Sequence, residues 1–152
     1  MPRIGIPRTL AYFIYYPFCK AFFEELGHEV LLSSPTSRAI LDNGVKEAVN
    51  DACIPIKIYH GHVLDLAGKV DYIFCPRLVS VRKHGDFGTE TFCPKFLGLP
   101  DMIRLSLSHI PELIDVRVDL KKGKDELFQV FSQVGGKLGN SKDTIKKAFQ
   151  KA

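Results

Sequence analysis

These 152 residues predict an α/β domain with a mainly parallel sheet. Three observations carry that reading. Two short apolar runs, Arg3–Ile6 and Glu29–Leu32, flank one amphipathic stretch, giving the spacing of a β-α-β unit with parallel strands. Residues 71–75, Asp-Tyr-Ile-Phe-Cys, form a near-continuous apolar run, as in a strand buried on both faces. Proline and glycine punctuate the chain at intervals that separate helical from extended segments.

The first strand ends at Pro7. A helix over residues 16–26 follows, with Phe18, Cys19, Phe22, Phe23 and Leu26 on one stripe, Glu24 and Glu25 outside it, and Gly27 as the stop. After the second strand, Ser33-Ser34-Pro35 ends the unit. Thr36 or Ser37 then caps a helix to about Asp42, which Gly44 interrupts, and residues 45–51 form another short helix. Residues 55–66 read as a helix stopped by Gly68. Residues 82–91 are polar, contain Gly85 and Gly88, and read as an exposed loop. A helix over 100–108 and a strand over 113–120 complete the body. Two amphipathic helices, 125–134 and Lys142–Lys151, joined by Gly135-Gly136 and Gly139, make the tail. The sum is a three-layer, Rossmann- or flavodoxin-like sheet of about four parallel strands with C-terminal helices. In that class ligands bind beyond the carboxyl ends of the strands.

Composition fits an ordinary globular domain, 45% hydrophobic and 25% charged. A chain this long buries roughly 68–70% of its unfolded surface, enough for a core without disulfides. The N-terminus has no signal-peptide apolar region, and no apolar run reaches the ~20 residues of a membrane span, so a cytoplasmic setting without membrane is expected. Charge is uneven. Residues 1–120 hold 13 Lys/Arg against 14 Asp/Glu, whereas residues 121–152 hold 8 against 3. This divides the chain into a near-neutral α/β lobe, 1–120, and a basic helical extension, 121–152, packing on the same domain. The extension reads as a solvated helical face, and no motif in it points to nucleic acid.

Cysteines stand at 19, 53, 75 and 93, with no C-x-x-C among them. Zinc ribbons, thioredoxin-type sites and ferredoxin cysteine runs are therefore unsupported. Cys53 and Cys93 share a setting: each is followed within two residues by proline and then by a helix-like apolar stretch. Proline suits the first helical turn. A cysteine just ahead of it faces the positive end of the helix dipole, which favours thiolate, the form that binds metal or attacks electrophiles. Against this stands the plain reading of two small buried residues. Cys19 lies on the stripe with Phe22 and Phe23 and reads as core. His60 and His62, two apart on a helix, point to nearly opposite sides and do not make a metal pair. His84 and His109 have no ligand spacing.

Several segments, taken in order, resemble a known family. They are Arg3-Ile4-Gly5-Ile6-Pro7-Arg8, Tyr15-Tyr16-Pro17-Phe18, Phe22-Phe23-Glu24-Glu25-Leu26-Gly27 and Ala52-Cys53-Ile54-Pro55-Ile56-Lys57. Gly61-His62-Val63, Asp71-Tyr72-Ile73-Phe74 and Cys93-Pro94-Lys95-Phe96-Leu97-Gly98-Leu99-Pro100-Asp101 continue the set. Together these resemble the 2-hydroxyacyl-CoA dehydratase and CoA-substrate-specific enzyme activase-related family, over roughly residues 2–120. The resemblance implies a lobe akin to dehydratase subunits and double-cubane-cluster proteins, which bind iron–sulfur clusters through cysteines. Such proteins receive electrons from an ATP-hydrolysing activator. By the same resemblance Cys53 and Cys93 are the cluster cysteines, whereas Cys19 and Cys75, which stand where an aromatic and an aliphatic residue are usual, are not carried over as ligands. Arg8, Lys57 and Lys95 are candidates for substrate binding or for offsetting cluster charge.

The chain lacks the later lobe of full dehydratase subunits and the further cysteine it brings. It also lacks a phosphate-binding glycine motif. Two thiolates fall short of a cubane's set, so a third ligand must come from Cys75, from a second copy across a homodimer axis, or from a larger dehydratase subunit. Two functions follow. One is an iron–sulfur accessory lobe or partial subunit of a dehydratase-like lyase system acting on an acyl-CoA, incomplete as an enzyme alone. The other is a metal-free regulatory module that docks on an activase or dehydratase partner.

Overall fold

The computed structural model describes residues 1–80 and 91–152. Its central sheet has the order β2–β1–β3–β5, all parallel: β1 (Arg3–Ile6), β2 (Glu29–Leu32), β3 (Tyr72–Phe74) and β5 (Glu112–Ile114). Alternation along the strands sorts side chains into two apolar layers. Ile4, Ile6 and Phe74 face one layer, while Ile73 and Cys75 face the other. This is the parallel α/β architecture read from the sequence.

Helix α1 (Tyr12–Glu25) and the tail helices α5 (Lys124–Lys137) and α6 (Lys142–Lys151) cover the first face. Their contact is largely aromatic. Phe131 of α5 meets Phe18 and Phe22 of α1 edge-on, with centroids 4.8 and 5.0 Å apart, and Phe23 meets Phe74 of β3 at 5.5 Å. Asn140, in the α5–α6 turn, donates to Leu26 O and contacts His28 Nε2, both at 3.0 Å. Helices α2 (Arg38–Glu47), α3 (Ile54–Leu66) and α4 (Pro94–Ser106) lie on the opposite side.

Four helices run further than the glycine and proline signals suggested. Ser37 caps α2 by accepting from Ile40 N–H, yet α2 continues through Gly44 to Glu47. There is no separate helix over 45–51. A Cβ at Gly44 would stand 1.9 Å from Lys57 O, and one at Gly61 2.0 Å from Ile40 O. These glycines let α2 and α3 touch backbone to backbone, and this close approach is what holds Gly44 in the helix. Helix α1 starts at Tyr12 and contains Pro17; α4 starts at Pro94 and contains Pro100. Helix α5 runs through Gly135 and Gly136, and Gly135 is packed against Ile145 of α6.

The expected strand over 113–120 is two pieces, β5 and β6 (Arg117–Asp119), and β6 pairs with β4 (Arg77–Ser80), which the sequence reading left out. Together β4 and β6 extend the β3–β5 pair. Cys75 N–H donates to Ile114 O at 3.1 Å and Arg77 N–H to Val116 O at 2.8 Å, bridging the gap. Pro76 sits between these donors. By alternation its missing N–H falls on the β1 flank, where β1 has already ended, so no ladder bond is lost. The loop expected at 82–91, with Gly85, Gly88 and His84, lies outside the described residues except for Thr91. Among the described residues, no helix is long and apolar enough to cross a membrane.

Candidate functional site

The chain leaves β1 to form β2 on one side and returns to form β3 on the other, so the strand order reverses between β1 and β3. The crevice beyond the carboxyl ends of these strands is where open α/β sheets take ligands. Pro7–Leu10 and Cys75-Pro76 border it. Leu10 has φ 55°, an uncommon backbone state for a leucine, at this turn.

Segment 33–36, just past β2, is fixed to the middle of α3. Ser33 Oγ accepts from Arg8 N–H at 2.8 Å and lies 2.7 Å from His62 Nδ1. His62 Nε2 lies 2.9 Å from Thr36 Oγ1, so each ring nitrogen is engaged by a hydroxyl. Asp65 accepts from Ser34 N–H at 2.7 Å. Burial lowers the His62 pKa, Arg8 adds to that, and Asp65 opposes it. His62 thus sits at the level of the sheet edge. Nine residues earlier, Cys53 stands roughly 13 Å further out along the helix.

Cys53 is the N-cap of α3 and Cys93 the N-cap of α4; Pro55 and Pro94 occupy the first turns. Neither side chain caps its helix, both residues are exposed, and both are free thiols. Phe92 N–H donates to Val79 O at 3.0 Å, which places Cys93 beside the far end of β4. That point is five residues past Phe74, or about 16 Å of strand. Both cysteines therefore project beyond the same edge of the sheet.

Cys75 is different. It is fully buried between α3 and α4, and burial pushes its thiol up to about 12, although the Tyr59 hydroxyl against it pulls the other way. Cys19 is also fully buried, in the aromatic layer, and burial raises it further still. At neutral pH both are thiols, not thiolates.

The three basic candidates separate as well. Arg8 lies at the crevice, and its buried Nε has no hydrogen-bond partner among the described residues. Lys57 is committed to the Asn50 carbonyl at 3.0 Å, closing the loop that leads to Cys53. Lys95 lies half-buried in the first turn of α4. Among the described residues no group of three or more His, Cys, Asp or Glu side chains converges as a metal set.

A family model described as "CoA enzyme activase uncharacterised domain (DUF2229)" matches residues 3–152. The chain belongs to this family. No curated protein and no solved structure matches it. The family match runs through the basic tail as well as the α/β body.

Sequence reasoning missed the residue that organises this activase-family domain around α4. Arg77 of β4 uses all five of its N–H donors: Nε and Nη2 on Asp115, Nη1 and Nη2 on Asp101, and Nη1 on Leu97 O, each between 2.6 and 2.8 Å. Arg104 adds a bond to Asp115 at 2.8 Å. Pro100 takes one N–H out of the α4 ladder, and in this stretch Leu97 O is taken up by Arg77. The only signal in the sequence was an arginine right after the Cys-Pro pair.

Proposed function

We propose that this chain is an iron–sulfur-binding accessory lobe, or a partial subunit, of a CoA-activase-type redox system of the 2-hydroxyacyl-CoA dehydratase kind. One observation carries the reading. Of four free cysteines, the two exposed ones each stand at a helix N-cap position beyond the same edge of the sheet, while the other two are buried. Soft, uncommitted sulfur donors suit iron. Cys53 and Cys93 would hold it, supplying two of the four thiolates a cubane takes, with the remainder coming from a second copy or a larger subunit. Once bound, such a group supplies one-electron chemistry to an acyl-CoA.

The chain's own residues have defined parts. Lys57 fixes the loop before Cys53, and Arg77 fixes the helix behind Cys93. Arg8, with a buried N–H at the crevice left unspent among the described residues, is the candidate for an anionic group of the substrate. Cys75 is held back as a protonated core residue and would need exposure and deprotonation to serve as a third ligand.

The second reading, a metal-free module that docks on an activase or dehydratase partner, also has support. Phe13, Val49, Ile54 and Leu97 are exposed apolar residues near helix ends on the side that carries the cysteines. Iron and acid-labile sulfide per chain, measured after anaerobic purification and reconstitution, separate the two. Stoichiometric iron that is lost in both Cys53→Ser and Cys93→Ser supports cluster binding. A folded, iron-free wild type sinks that reading for this chain alone and leaves the docking module.

A further inference from the structure

An apolar cavity of about 240 Å³ opens between α1, the β4–β6 extension and α5. Its floor is Phe74, Leu78, Val118 and Phe131, all nearly inaccessible to solvent, and Ile14, 55% exposed, stands at its lip. Small-molecule sites are concave and mostly apolar, lined by aliphatic and aromatic side chains, as this one is. Among the described residues none that lines it is charged. Among the described residues, the only side-chain heteroatoms in its wall are the Tyr15 hydroxyl and the Cys19 thiol, which burial keeps neutral.

Size and chemistry together define what fits. A dry cavity of about 150 Å³ lined by Leu, Ile and Phe accepts benzene. The space here is larger by roughly half again and equally apolar, which suits a substituted ring or a short branched chain. A helix, about 10–12 Å across, does not fit. A neighbouring cleft of about 420 Å³ shares Phe18, Leu120 and Leu127 with the cavity, and its wall includes Lys124 and Gln150. An apolar group can therefore lie inside while the polar remainder of its molecule stays in the cleft.

We propose that this cavity is a binding site for a small aryl or branched alkyl group, on the α1–α5 face and separate from the edge that carries Cys53 and Cys93. It does not depend on iron or on any partner. The test uses (trifluoromethyl)benzene as the probe, followed by ¹⁹F NMR, with amide shifts of the metal-free wild type mapped in parallel. Saturable binding is expected, with the shifts concentrated at Leu78, Val118 and Phe131. Val118→Phe fills the cavity and should weaken binding at least tenfold; Ile14→Asn, at the lip, should weaken it severalfold. Non-saturable partitioning in the wild type overturns the proposal. So does binding that persists in a folded Val118→Phe. Should that variant not fold, wild-type shifts that cluster away from the cavity overturn it equally.

Discussion

Arg77 grips Asp101 through two near-parallel hydrogen bonds, from Nη1 to Oδ2 at 2.6 Å and from Nη2 to Oδ1 at 2.8 Å. The pair joins β4 to α4, while Asp115, on the same guanidinium, joins both to the strand beyond β5. A planar fork is required, because lysine presents a point charge that cannot span two carboxylates and a carbonyl. Arg77→Lys should cost about 1–3 kcal/mol. Asp101→Asn should cost less than Asp115→Asn, because Asp101 is 57% exposed and Asp115 only 15%. Urea unfolding midpoints measure this; a lysine variant as stable as the wild type would remove the clamp from the account.

The glycine contact between α2 and α3 predicts a sharp contrast. Gly44→Ala and Gly61→Ala each place a methyl about 2 Å from a backbone oxygen, so the helices must separate. Each should lose upward of ~2 kcal/mol. Gly98→Ala, in α4 with nothing within 4 Å, should instead gain about 0.5–1 kcal/mol from helix propensity. Thermal unfolding of the three variants gives opposite signs if the crossing is right and uniform small changes if it is wrong.

Acid should weaken the fold before any carboxylate titrates. Burial lowers the pKa of both His60 and His62; the Ile56 carbonyl on His60 Nδ1 opposes this, as Asp65 does for His62. Below about pH 6.5 the unfolded chain takes up protons that the folded chain refuses, so stability falls as pH falls, by at most about 1.4 kcal/mol per pH unit for each histidine. Asp115 acts lower down. Burial works to raise its pKa, but the Arg77 and Arg104 hydrogen bonds outweigh that and hold it below the usual carboxylate range. Its contribution is present above the unfolded carboxylate pKa and is lost as pH drops through the folded value. Unfolding at pH 7.5, 6 and 5 should show declining midpoints. A His62→Gln variant that loses stability at pH 7.5 but keeps the same slope would exclude His62 as a cause.

Thiol chemistry should divide the cysteines two and two. Cys53 and Cys93 are exposed, whereas Cys19 and Cys75 are fully buried and protonated. A water-soluble disulfide reagent should modify two thiols per native, metal-free chain rapidly and the other two only after unfolding. Rapid loss of all four would contradict the burial of Cys75.

The sheet was legible because its signals are local: four apolar runs, each bounded by proline, glycine or serine. Both cysteine N-caps were legible for the same reason, as the Cys-Pro spacing is a property of one helical turn. What was not legible depended on distant partners. Gly44 and Gly135 look like helix breaks until the helices packed against them are known. Pro76 looks like the end of a strand because the early end of β1, 70 residues earlier in the chain, is what frees it from a ladder bond. Arg77 is an unremarked arginine until Asp101 and Asp115, 24 and 38 residues away, come into reach.

The backbone contact at Gly44 and Gly61 also bears on the order in which the chain acquires structure. Residues 37–66 close on themselves with short sequence separations, whereas the sheet must join β1 to β3 across nearly 70 residues. Loop-closure entropy favours the local pairing. Amides at the centre of α3 should then gain protection from solvent exchange early in refolding, before those of β1. The arm that carries Cys53 would be shaped before the sheet to which it is anchored.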